Sequence, residues 1–161
     1  EPFGVDPSAA NEALCGFAPP LHRCELVRTL DGVEYINDSK ATNLHALDSA
    51  MRSQGRPIVL IVGGKQKGLD YSEVLPRLQQ ATRGIVVFGE IAEQLEKTFK
   101  PLADRISTTR VETLEAAVSK ANELAEHGDT ILFSPGTSSF DMFTGYEQRG
   151  DCFRRIVKEL K

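Results

Sequence analysis

The sequence lacks the features of a membrane or secreted protein. No apolar run reaches the length of a membrane-spanning helix, and no signal-peptide pattern opens the chain. Cysteine is scarce: Cys15, Cys24 and Cys152 are odd in number and widely spaced, which favours reduced core thiols over a disulfide framework. We therefore expect a cytoplasmic protein with no membrane partner.

A basic surface is also missing. The chain has 19 Lys and Arg against 23 Asp and Glu, a net charge of −4, and no basic cluster, which argues against a nucleic-acid partner. His22, His45 and His127 lack the spacing of metal ligands, and neither a Walker P-loop nor a Gly-x-Ser-x-Gly nucleophile elbow occurs. The rest is ordinary: 161 residues, 40% hydrophobic and 26% charged, predict one soluble globular domain.

The first 20 residues predict a piece of a neighbouring domain. The chain begins at Glu1 rather than Met. Asp6-Pro7 is a good pair for the start of a short helix, and Ala18-Pro19-Pro20 predicts a stiff, helix-breaking linker. We expect residues 1–20 to be the tail of a preceding domain with its linker, and residues 21–161 to be the main domain.

After the linker the pattern is that of an α/β domain. Two strand-like runs, 24–30 and 33–37, flank Asp31-Gly32, which is a strong hairpin signal. Alternating elements follow: helices at about 41–52, 71–80, 91–99, 114–126 and 146–160, and strands at 57–62, 84–89, 105–108 and 130–133. Such alternation predicts a three-layer, Rossmann-like α/β domain with a mixed, mainly parallel sheet and an N-terminal β-hairpin.

The turn from Asn37 to Asn43 carries more polar chemistry than a connection needs. A helix N-terminus binds anions through its free N–H groups and its dipole. The simpler interpretation is a helix cap formed by Asp38, Ser39, Thr42 or Asn43, but a cap does not explain Lys40. This turn alone leaves both interpretations open.

Two later turns are also polar. Residues 63–71 contain two glycines followed by Lys65 and Lys67, which alone is more typical of a flexible basic loop than of a binding site. Residues 134–143 contain Ser138 and Ser139 just before a helix, where hydroxyl groups suit an anion or serve as a cap.

Other residues around the third turn are ambiguous. Phe140, Phe143 and Tyr146 fit either the core or the wall of a pocket. Arg149 fits a helix surface, where it would pair with Glu147 or Asp151.

Loops that follow parallel strands gather at one edge of the sheet. The three turns then bring Lys40, Thr42, Lys67, Ser138 and Ser139 to a single rim. This convergence predicts a small anionic ligand, and one that carries carboxylates fits best.

Four motifs together resemble one enzyme family. They are His22-Arg23-x-Glu25, Asp38-Ser39-Lys40-Ala41-Thr42-Asn43, Gly63-Gly64-x-x-Lys67-Gly68-x-Asp70 and Ser134-Pro135-x-x-Ser138-Ser139-x-Asp141-x-Phe143. In this order they resemble the C-terminal domain of the Mur ligases of peptidoglycan synthesis, in their D-glutamate-adding, MurD-type branch. The resemblance covers nearly the whole chain, with residues 1–20 similar to the end of the central ATPase domain.

The resemblance implies an ATP-dependent ligase that adds D-glutamate to UDP-N-acetylmuramoyl-L-alanine through an acyl phosphate. It implies D-glutamate binding by Lys40, Thr42, Lys67, Ser139, Phe140 and Tyr146, and nucleotide binding by Arg23 and Asp38. Lys40 is in addition a candidate for stabilising charge during the reaction. ATP is implied as a ligand shared with the central domain, while Mg²⁺ and the UDP-linked substrate are implied to bind upstream domains.

Departures from the family pattern affect loop shape. Lys65-Gln66 stands where some members have Asp-Gly, and Gly136-Thr137 stands where Ala-Cys is common. We expect no ligase activity from this chain alone. The alternatives are a non-catalytic α/β ligand-binding or regulatory domain, or a sister Mur ligase that adds another amino acid.

Overall fold

The computed structural model describes residues 4, 6–16 and 20–161. The expected hairpin is present: β1 (Glu25–Leu30) pairs antiparallel with β2 (Val33–Asn37). Asp31 and Gly32 at its tip have φ angles of 50° and 79°. These left-handed values are those a two-residue hairpin turn requires and that Asp-Gly tolerates best.

The remaining elements confirm the α/β class. The strands are β3 (Ile58–Gly63), β4 (Thr82–Phe88), β5 (Ser107–Arg110) and β6 (Thr130–Phe133). The helices are α1 (Pro7–Cys15), α2 (Leu44–Arg52), α3 (Leu75–Ala81), α4 (Ala92–Phe99), α5 (Leu114–Leu124) and α6 (Tyr146–Glu159), with 3₁₀ turns at Tyr71–Val74 and Lys100–Leu102.

Two predicted helix starts were wrong. The helix expected from residue 41 begins at Leu44, because Asn43 caps it and holds extended backbone until that point. The helix expected from residue 71 opens as a 3₁₀ turn, and α-helix begins only at Leu75. Pro76 lies in the first turn of α3, the position where proline is tolerated because its missing N–H has no helical partner there.

The strand order is β1-β2-β6-β3-β4-β5. All neighbours pair in parallel except the β1–β2 hairpin, so the predicted mixed, mainly parallel sheet is confirmed. The last strand of the chain, β6, lies between β2 and β3. The carboxyl ends of these three neighbours are therefore side by side.

Two apolar clusters cover the two faces of the sheet. One packs α2, α3 and α4 against residues such as Leu60 and Val87. The other packs α5 and α6 against residues such as Ile61 and Phe133. The predicted three layers are therefore present, and β3 is buried on both faces along its whole length, as a central parallel strand requires.

The first segment is described only in part. Helix α1 starts where the sequence predicts it, with Asp6 accepting a hydrogen bond from the Ser8 N–H, and none of its residues is buried. Ala18 and Pro19 of the expected linker lie outside the described residues. The division at residue 20 stays a prediction.

Candidate functional site

The three polar turns meet at one edge of the sheet. They follow β2, β6 and β3, which are adjacent. Lys67 Nζ donates to the Thr42 carbonyl at 3.2 Å, and the Lys65 N–H donates to the Ser138 carbonyl at 2.9 Å. The chain leaves β2 and β3 toward one face and β6 toward the other. The turns therefore lie at a topological switch point, where open α/β sheets bind ligands.

The opening turn uses only one of its polar residues as a cap. Asn43 Oδ1 accepts from the Ala46 N–H at 2.9 Å. Lys40 and Thr42 are half-buried at the rim. The cap alternative thus accounts for Asn43 and leaves the other polar residues of the turn to be explained.

A groove of about 610 Å³ runs between this turn, the exposed side of α2 and the start of α6. Its volume lies in the usual range for small-molecule sites. Lys40 Nζ lies 5.6 Å from the centre of the Tyr146 ring, within the range of a cation–π contact. The lining includes Arg23, Asp38, Lys40, Thr42 and Tyr146, five of the residues that the sequence analysis selected.

Asp38 is fixed in the wall of this groove. Its carboxylate accepts from Ser134 Oγ at 2.8 Å and from the Cys24 N–H at 3.2 Å. The side chain is nearly buried, and this burial raises the pKa of Asp38 above its usual 3.8, against the opposing effect of the two hydrogen bonds. The carboxylate is therefore rigid and incompletely solvated, as suits a group that orients a ligand.

Cations at the rim lack carboxylate partners. Within residues 20–161, ten of the 19 Arg and Lys side chains form ion pairs with Asp or Glu, and nine form none. Arg23, Lys40, Lys67 and Arg149 form none in this part of the chain, although a groove and three turns bring them together. Unpaired cations at one edge create a field that attracts anions.

Arg149 does not lie on the helix surface that its sequence position predicts. It pairs with neither Glu147 nor Asp151 and is fully buried (0% exposed). It lies beneath the turns and donates to Ser39 Oγ at 3.1 Å, to the Ser39 carbonyl at 2.8 Å and to the Thr137 carbonyl at 3.0 Å. Burial lowers the pKa of Arg149 to about 10.

This buried cation ties the opening turn to the third turn. Its NH1 has no hydrogen-bond partner among the described residues. Helix periodicity could not predict this burial, because a polar residue at position 149 indicates an exposed position. Two of its acceptors are backbone carbonyls, which no sequence pattern encodes.

The second turn approaches its neighbours so closely that it requires glycine. Gly64 has φ of 141°, and a Cβ there would lie 2.5 Å from the Ser138 carbonyl oxygen. The same glycine lies against Arg149 NH1 and Thr137. The main chains of the second and third turns are therefore in contact. Lys67 lies three residues after Gly64 in the second turn, and its side chain reaches Thr42.

The third turn divides its residues between two places. Ser139 is buried and Ser138 is half-buried within the turn. Phe140 is 65% exposed and lines a separate groove of about 500 Å³, together with Lys65, Arg110 and Met142. The structure thus groups Lys40, Thr42, Lys67 and Tyr146, and directs Phe140 to a different groove.

No metal centre or membrane span appears in the described ranges. Residues 20–161 contain no group of three or more His, Cys, Asp and Glu placed to hold a metal ion. Among the same residues, no helix combines the length and apolarity needed to cross a bilayer.

Comparison with known proteins decides the family. The family model described as "Mur ligase, glutamate ligase domain" matches residues 22–137, which is most of the chain and includes the first two polar turns. The chain belongs to the Mur ligase family. The third turn from Ser138 onward lies beyond this match.

Relatives extend the Mur ligase similarity over nearly the whole chain. The UDP-N-acetylmuramoylalanine--D-glutamate ligase of Salinibacter ruber is 46% identical over 97% of this chain. The enzyme of the same name from Chlorobium phaeobacteroides is 44% identical over 99% of it. In both cases the match covers 34% of the relative, so the chain spans about a third of the length of the curated relatives.

Solved Mur ligase structures share the fold. The UDP-N-acetylmuramate-alanine ligase of Thermotoga maritima superposes with a TM-score of 0.64 at 15% identity, covering 98% of this chain and 35% of that one. MurF of Acinetobacter baumannii gives a TM-score of 0.60 at 14% identity, covering 94% and 34%. At these identities the likeness concerns the fold of the Mur ligase domain.

Proposed function

We propose that this domain binds D-glutamate and part of ATP in a ligase that adds D-glutamate to UDP-N-acetylmuramoyl-L-alanine. The observation that carries the proposal is the group of cations without carboxylate partners at the switch point. D-glutamate has two carboxylates and ATP has phosphates. These anionic groups are suitable partners for cations that have no carboxylate partner within the domain. The D-glutamate ligases named above, 44–46% identical to this chain, support this amino acid over the substrate of a sister ligase.

The two ends of D-glutamate fit different parts of the rim. Lys40 and Thr42 line the groove, while Lys67 reaches Thr42 from the second turn. Lys67 and Lys40 are then available to separate carboxylates, and the third turn brings Ser138 and Ser139 to the same edge of the sheet. When these donors bind the two carboxylates, the amine of D-glutamate is held in position to attack. This orientation increases the reaction rate.

The nucleotide fits the groove side of the rim. Arg23 is exposed and lines the groove together with Asp38. We assign Arg23 to the phosphates and Asp38 to a hydrogen-bonding group of the nucleotide. We assign the Mg²⁺ ligands and the UDP-binding site to other domains of the longer protein.

The reaction joins a carboxylate to an amine. The terminal carboxylate of UDP-N-acetylmuramoyl-L-alanine takes the γ-phosphoryl group of ATP and ADP leaves. The neutral amine of D-glutamate then attacks the acyl phosphate, phosphate leaves, and the amine loses a proton as the amide forms. Negative charge grows on the acyl oxygens during the attack, and Lys40 is the cation we assign to stabilise it. We also propose a cytoplasmic location, which the free thiols of Cys24 and Cys152 support.

The test uses the complete ligase that carries this domain. Lys40→Ala and Lys67→Ala should each lower kcat/KM for D-glutamate at least tenfold, because each removes a charge-assisted contact worth roughly 1.5–3 kcal/mol. Ser139→Ala should have a smaller effect of the same kind. Lys120→Ala is the matched control, since Lys120 lies on α5 and pairs with Glu123.

Three results would count against the proposal. Unchanged D-glutamate kinetics in both lysine variants would remove the site assignment. Turnover with another amino acid in place of D-glutamate would favour a sister ligase, and absence of any turnover by the complete protein would favour a non-catalytic module.

A further inference from the structure

Helix α6 contains a glycine where a helix normally disfavours one. Gly150 lies in the interior of α6, where glycine costs roughly 0.5–1 kcal/mol relative to alanine. A Cβ at this position would lie 2.2 Å from His22 Nδ1 and 2.8 Å from His22 Cγ. The missing side chain therefore makes room for the His22 ring.

His22 fills this space with a buried ring and a left-handed backbone conformation. It is 5% exposed and has φ of 63°, a left-handed conformation in which His, Asn and Asp are enriched among the non-glycine residues. Its Nδ1 lies 3.0 Å from Asn37 Nδ2. The Asn37 amide is oriented by its own contacts, because Oδ1 accepts from the Ser39 N–H and Nδ2 donates to the Gly150 carbonyl.

The Asn37 amide joins His22 to two further groups. Its Nδ2 lies within hydrogen-bond distance of His22 Nδ1, of Glu25 Oε2 at 3.2 Å and of the Gly150 carbonyl at 3.3 Å. His22 Nε2 faces Asp151 at 3.8 Å, and Nδ1 lies 4.0 Å from Glu25. The imidazole thus links the end of β2 to helix α6.

The main chain at His22 leads directly to the candidate site. The His22 carbonyl accepts from the Lys40 N–H at 3.0 Å, and the next residue is Arg23. Asn37 likewise holds Ser39 through its Oδ1 at 3.2 Å. Movement of the His22 ring would therefore shift the backbone that presents both Arg23 and Lys40.

We propose that His22 and Gly150 form a positioning pair that sets the separation and direction of Arg23 and Lys40. Neither residue touches ligand in this assignment. Gly150 provides the volume, His22 fills it, and the carbonyl of His22 fixes the amide of Lys40. The inference rests on the proposed function for its kinetic readout, whereas the contact itself can be tested without it.

The first test is a double-mutant cycle on the stability of this chain. Gly150→Ala should lower the urea midpoint, although the same change in an ordinary helix would raise it. In a His22→Ala background the clash is gone, and Gly150→Ala should leave the midpoint unchanged or raise it. Gly55→Ala is the matched control, because a Cβ there meets no atom within 4 Å.

The second test separates positioning from folding in the complete ligase. His22→Asn keeps tolerance of positive φ and an acceptor oxygen for Asn37, so it should retain kcat/KM for ATP and D-glutamate within about threefold. His22→Ala should lower both values at least tenfold, as small displacements of positioning groups do. Both variants should fold, as judged by circular dichroism.

If the urea-midpoint changes of His22→Ala and Gly150→Ala were additive in the double variant, the proposed contact between the two residues would be refuted. Equal kinetics for His22→Ala and the unchanged enzyme would overturn the positioning role. If the unchanged ligase itself turned over neither ATP nor D-glutamate, the proposed function would fail, and the stability cycle would still decide the contact.

Discussion

Replacing Arg149 by methionine should cost little stability and much function. Methionine is similar in length to the buried arginine stem and carries no charge, so it removes the cation without leaving a large cavity. Arg149 has no carboxylate partner among the described residues. Its removal therefore does not leave an unpaired buried acid, which is the usual source of large losses when a buried ion is deleted.

Two opposing effects determine the size of the change. Burial lowers the pKa of Arg149 well below its usual range, to about 10, which corresponds to roughly 3 kcal/mol against the buried charge. Methionine recovers this free energy. The Ser39 and Thr137 carbonyls would each lose a donor, at roughly 1–3 kcal/mol apiece. We expect the net effect on the unfolding free energy to lie between a gain of about 1 kcal/mol and a loss of about 3 kcal/mol.

Urea unfolding of Arg149→Met beside the unchanged chain measures this difference. Arg149→Ala should be less stable than Arg149→Met by roughly 2 kcal/mol more, because it also leaves a cavity. In the complete ligase, Arg149→Met should lower kcat/KM for D-glutamate at least tenfold, since the opening and third turns lose their tie. A stability loss above about 5 kcal/mol, or unchanged kinetics, would refute the reasoning.

Two further predictions concern the same edge. Burial raises the pKa of Asp38, so on acidification the folded chain binds this proton at a higher pH than the unfolded chain does. The unchanged chain should therefore gain stability relative to Asp38→Asn as the pH falls from 7 toward 4. Urea midpoints of the two chains that changed in parallel with pH would contradict this. Gly64→Ala should lower the urea midpoint far more than Gly68→Ala. Both positions have positive φ, but only a Cβ at Gly64 meets a backbone oxygen, at 2.5 Å; equal losses would show that φ alone matters.

Much of the fold could be predicted because each signal was local. Asp31-Gly32 encodes a hairpin through its tolerance of left-handed backbone, and the apolar run of β3 predicts a strand buried on both faces. The three turns converge because strand order places their strands side by side. The sequence predicts that they share an edge, but the central position of β6 emerges only from the assembled sheet.

The errors have physical causes of another kind. Four residues of the opening turn were equal candidates for the cap of α2, and packing selected Asn43. Arg149 was assigned to a surface because charge usually indicates exposure, whereas here it is buried and donates to Ser39 and Thr137 in two distant turns. No periodic pattern linked Gly150 to His22. The His22 ring fills the space left by the missing side chain of Gly150, and the two residues are more than 100 positions apart in the sequence.

The place of β6 in the sheet also has a consequence for synthesis on the ribosome. Until Thr130–Phe133 is made, the β1–β2 hairpin has no strand pairing with the β3–β4–β5 group, because β6 lies between β2 and β3. A nascent chain ending before β6 would hold two separate partial sheets with open parallel edges, which are prone to wrong pairing. The rim that gathers Lys40, Lys67 and Ser139 is thus completed only when the last strand inserts, so binding competence should be among the final properties the growing protein acquires.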